Sequence, residues 1–128
     1  MVFRGVIIEE SLCDKKILDR FNITDTKIEP VEQNHMTPWL TQWTLHDVYV
    51  DESDVLELSE LLSENLEEDY WYADFKDEKS HYIIFNKKIF IVNKEDPSQY
   101  KPVVSYGLEL GIPRYQLDFS PDISDWQR

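Results

Sequence analysis

Residues 70–93 read YWYADFKDEKSHYIIFNKKIFIVN. Three runs rich in aromatic and β-branched residues, 70–76, 81–85 and 88–93, are separated by the polar turn DEKS and by Asn86-Lys87. This spacing predicts a three-stranded antiparallel meander, with a tight second hairpin that lacks the usual glycine.

Just upstream, Val55, Leu58, Leu62 and Leu66 recur every three or four residues, with Leu56 and Leu61 widening the stripe. An amphipathic helix over 52–66, capped by Asp51, is the expectation. A strand is expected over 41–50, after Pro38, and an extended piece over 23–31 that stops around Pro30. Residues 2–10, VFRGVIIEE, read as an opening strand in which Gly5 marks a bulge or a close approach. Ser11 and Asp14 suggest a cap for a short helix with Leu12, Ile17, Leu18 and Phe21 on one side, ending near Asn22.

Downstream, Asp96-Pro97 starts a helical turn, and the main helix is expected over 102–110, because Pro102 opposes a continuous helix through it. Gly111 is then the natural C′ residue, and Ile112 makes the hydrophobic contact that accompanies such a cap. Short turns between consecutive strands favour an α+β domain. Its mainly antiparallel sheet has five or six strands, and two main helices are expected on one face. All 128 residues are assigned to a single domain, with 120–128 as a surface tail.

The net charge of −13 is regional. Residues 28–75 contain thirteen Asp or Glu and no Lys or Arg, whereas the other 80 residues carry thirteen of each sign. Nucleic-acid binders concentrate the opposite charge, so direct nucleic-acid binding is not expected. No apolar run approaches the roughly 18 residues of a membrane span, and glutamates interrupt the apolar start where a signal peptide continues. With a single cysteine, Cys13, no internal disulfide is possible, and a reducing cytoplasm is the expected compartment.

FRGVIIEESL, TPWLTQWTLH, WYADF with HYIIF, and YGLELGIPRYQLDF together resemble an uncharacterised family of small acidic prokaryotic proteins. The resemblance spans nearly the whole chain. It implies a compact cytosolic domain and carries over no functional residue.

Phosphate-binding glycine loops, nucleophile elbows and zinc or redox motifs are absent from the sequence, and no cofactor or metal is expected. Cys13, near a helix start and beside Lys15 and Lys16, has the setting of a lowered thiol pKa, but an inert cysteine is the ordinary reading. His46, Asp74 and His81 fall on strands that can be neighbours, with Asp74 as a base orienter or third metal ligand, which suggests an acid–base or metal site; ordinary buried or exposed histidines are the competing account. Trp39, Trp43, Trp71, Tyr72 and Tyr82 are candidates for an aromatic pocket or simply for core. Strands 41–50 and 70–76 carry bulky groups on both faces, so the second face is expected to be covered by the N-terminal segment, another subunit or a ligand.

Two functions follow. The first is a non-enzymatic binding or regulatory domain whose acidic helix, through Glu57, Glu60 and Glu64, meets a cationic partner protein. The second is an enzyme or small-ligand binder with a pocket of aromatic and histidine side chains. Homo-oligomerisation is compatible with either.

Overall fold

A computed structural model of the chain describes residues 2–30, 42–68 and 71–112. Trp39, the lead-in through Pro38 and the 120–128 tail lie outside these residues. Among the described residues six strands form one sheet: β1 (Val2–Ile8), β2 (Asn22–Pro30), β3 (Gln42–Asp51), β4 (Ala73–Lys76), β5 (Ser80–Phe85) and β6 (Lys88–Asn93). Their order is β2-β3-β1-β4-β5-β6, and every neighbouring pair is antiparallel. The meander β4-β5-β6 is the one its turn residues predict; Lys87 takes φ 57° in the β5–β6 turn, where glycine would be unstrained. β1 enters between β3 and β4, and burial of Phe3, Val6, Ile7 and Ile8 explains its nearly continuous apolar run.

Gly5 is a close approach, not a bulge. It sits opposite Phe75, and a Cβ there would collide with Asp74 O and lie 2.7 Å from Phe75 Cδ1.

Among the described residues two α-helices flank the sheet: α1 (Val55–Asn65) and α2 (Tyr100–Glu109). Alternate residues of β5 divide between two cores. Ile84 and Tyr82 join Phe3, Ile7, Phe75 and the α1 residues Val55, Leu58 and Leu62. Ile83 and Phe85 join Val92 and the α2 residues Tyr100 and Val103. The helices therefore take opposite faces, in place of the single helical face expected, because HYIIF is bulky at both parities.

α1 begins three residues later than expected. Asp51–Asp54 form a turn closed by Asp54 N–H donating to Asp51 O at 2.9 Å, and Asp54 stands at the N-cap without a side-chain capping bond. The expected helix after Ser11 is instead a pair of 3-10 turns, Glu9–Ser11 and Lys15–Arg20. Asp14 caps the second by accepting from Lys16 N–H at 3.0 Å, and Ile17, Leu18 and Phe21 are buried as their spacing suggests. Cys13 N–H and Ser11 O bond to Asn65 O and Glu67 N–H, tying this segment to the end of α1.

α2 starts at Tyr100 and contains Pro102 in its first turn, where the missing N–H has no intrahelical partner to lose. It ends as expected. Gly111 has φ 86°, Ile112 N–H donates to Gly107 O at 3.2 Å and Gly111 N–H to Leu108 O at 3.1 Å, while Ile112 is buried in the second core. Among the described residues no helix is long and apolar enough to cross a membrane.

Candidate functional site

The strand order decides which predicted site residues meet. Asp74 on β4 faces Ile83, and Lys76 faces His81, so Asp74 and His81 share the second face of the sheet on a diagonal. Their contact is 2.7 Å between Asp74 Oδ2 and His81 Nε2. His81 Nδ1 lies 3.0 Å from the Tyr100 hydroxyl on α2. All three side chains are buried. Burial first, and then the negative charge of Asp74, push the Tyr100 phenol above its ordinary pKa.

His46 does not join them. Two strands, β1 and β4, stand between β3 and β5, and His46 pairs with Ile7 on the first face. Its Nε2 is 3.1 Å from Glu9 Oε1, and its Nδ1 is 2.9 Å from Thr26 Oγ1. The adjacent Glu10 accepts from Thr44 N–H at 2.6 Å and from Thr44 Oγ1 at 2.8 Å. Glu9 and Glu10 thus clasp β3 from the turn after β1, a role the sequence marks only by two acids closing an apolar strand. Among the described residues no group of three or more His, Cys, Asp or Glu is arranged to hold a metal.

The aromatic candidates are distributed between the cores. Trp43 and Trp71 pack with ring centroids 5.4 Å apart, and Tyr82 meets Phe3 edge-on at 5.3 Å, all in the first core. Tyr72 packs against Phe85 at 5.9 Å in the second. Cys13 is exposed.

A cavity of about 560 Å³ opens on the second face over β1, β3 and β4. Arg4, Val6, Asp47, Tyr49, Asp74 and Lys76 line it. Of the candidates only Asp74 is there, and Tyr49 supplies an aromatic wall in place of the tryptophans. Arg4, Asp47 and Lys76 come together only through cross-strand register, which no local sequence signal carries.

On the outer side of α1, Glu57, Glu60 and Glu64 are exposed. At 100° per residue the three fall within an arc of about 60°. Asp51, Glu52, Asp54, Glu67 and Glu68, flanking the helix, are exposed as well. Arg20 reaches Glu57 at 3.7 Å, but both groups are solvated, so the pair neutralises little and contributes little stability.

No family model matches this chain, and neither the curated proteins nor the solved structures contain a match to it.

Proposed function

We propose that the chain is a non-enzymatic binding domain that presents the acidic outer side of α1 to a cationic partner protein. The observation that carries this reading is the exposure of Glu57, Glu60 and Glu64 in one arc, with acids continuing at both ends of the helix and no Lys or Arg between residues 28 and 75. Attraction over about a Debye length, roughly 10 Å at 0.1 M salt, accelerates encounter with a basic surface and fades as salt rises. A binding role also fits His46 and His81, whose ring nitrogens are engaged in bonds that brace the fold. In this reading the domain works in a reducing cytoplasm, where its one cysteine stays a thiol.

Affinity capture from native extract at low ionic strength, run in parallel with the wild type and with a Glu57→Gln/Glu60→Gln/Glu64→Gln variant, tests the proposal. A basic protein retained by the wild type and lost by the folded variant supports it. Equal retention by both removes the acidic face from the account.

A second reading has one observation in its favour. Asp74, hydrogen-bonded to His81, borders the open cavity, which is the arrangement of a small-ligand site with an oriented carboxylate.

A further inference from the structure

Where the cavity lies, the register of the second face sets charges in two transverse rows, flanked on the same face by Asp51 opposite Val2 and by Lys27 opposite Leu45. One row runs Tyr49, Arg4, Lys76 across β3, β1 and β4. The other runs Asp25, Asp47, Val6, Asp74 across β2, β3, β1 and β4. Arg4 and Val6 are two residues apart, so the rows are separated by about 6.8 Å at the usual strand rise. Each row places like charges directly opposite one another: Arg4 against Lys76, and Asp25 against Asp47. Such pairs weaken a sheet. None of these four side chains forms an ion pair with a described residue.

We propose that this face binds a dipeptide zwitterion lying along β1, with its carboxylate between Arg4 and Lys76 and its ammonium on Asp47. A free anion would satisfy one row, but the other row and the net charge of −13 would repel it. A free cation has the converse mismatch at Arg4 and Lys76. A ligand charged at both ends relieves both like-charge pairs. Two extended residues span about 7 Å, which matches the row separation. Arg4 can take the carboxylate through two parallel N–H donors, and Lys76 adds a point charge. Because Asp74 is engaged with His81, Asp47 is the acceptor for the amine. Val6 stands within the acidic row, between Asp47 and Asp74, and with Val2 and Tyr49 it supplies apolar wall for the peptide's side chains. The site is independent of the acidic face, since α1 occupies the other side of the sheet.

Heteronuclear NMR of the full chain at low ionic strength, titrated with L-alanyl-L-alanine and with its N-acetylated and C-amidated forms, tests the assignment. The free dipeptide should give saturable shifts centred on residues 4–6, 47–49 and 74–76, with each capped form at least about tenfold weaker, since each loses one charge-assisted contact. Arg4→Gln and Asp47→Asn should each weaken the free dipeptide to a similar degree. The capped peptides make the same distinction on the unaltered protein if a variant fails to fold. Absence of saturable shifts, shifts centred elsewhere, or capped forms that bind as well as the free dipeptide would overturn the proposal.

Discussion

His81 stands 2.7 Å from Asp74 Oδ2 through Nε2 and 3.0 Å from the Tyr100 hydroxyl through Nδ1, so one imidazole links β4, β5 and α2. A carboxylate only accepts, which assigns the Nε2 proton to the bond with Asp74; in the neutral ring Nδ1 then accepts from the phenol. In a buried setting these bonds compensate the desolvation of three polar groups, and they set the position of the second helix.

Tyr100 gives this linkage a pH dependence. Burial, reinforced by the charge of Asp74, raises its folded pKa, so the neutral phenol is favoured by folding. The resulting stability is fully present below the unfolded value of about 10 and is lost as pH rises through the higher folded value. Urea denaturation of the wild type should show an alkaline loss of stability that is smaller in Tyr100→Phe. At neutral pH the same variant should be less stable by about 1 kcal/mol, the net worth of a hydrogen bond. An identical alkaline slope in both proteins would contradict this assignment.

Gly5 brings β1 against β4 beside the same carboxylate. A Cβ at this position meets Asp74 O, a backbone atom that cannot rotate away, as well as the Phe75 ring. Gly5→Ala should therefore cost at least about 3 kcal/mol, the upper part of the overpacking range. A thermal or chemical denaturation difference under half a kcal/mol would show that β1 can shift without penalty.

Ser59 offers a test in the opposite direction. Its hydroxyl is fully buried on α1 and has no hydrogen-bond partner among the described residues. Ser59→Ala removes an unsatisfied group and improves helix propensity, so it should stabilise the protein by about 1 kcal/mol. A comparable loss of stability would mean that the hydroxyl has a partner.

Local signals foretold what local interactions determine. The Val55–Leu66 stripe, the Asn86-Lys87 hairpin and the Gly111-Ile112 cap each depend on residues a few positions apart, and each forms as read, apart from the first turn of α1. The approach of Asp74 to His81 was legible because the short connection between β4 and β5 forces the two strands together. Insertion of β1 between β3 and β4 is a long-range choice with no local trace, and it separates His46 from the other two residues. The cavity depends on the same choice, since Arg4, Asp47 and Lys76 belong to three strands distant in sequence. The two-faced helix placement was present in the alternation of HYIIF, where both parities are bulky and each requires cover.

Association kinetics with a basic partner recovered by affinity capture test the central claim most directly, measured for the wild type and for Glu57→Gln/Glu60→Gln/Glu64→Gln as salt shortens the Debye length from about 30 Å at 0.01 M to about 8 Å at 0.15 M. The substitutions lie on the exposed side of α1 and should change stability by no more than about half a kcal/mol. The account predicts a wild-type on-rate that falls steeply over this range, a lower and flatter on-rate for the variant, and similar off-rates for both. Equal on-rates for the two folded proteins across the whole salt range would contradict it and leave the acidic side of α1 without a role in recognition.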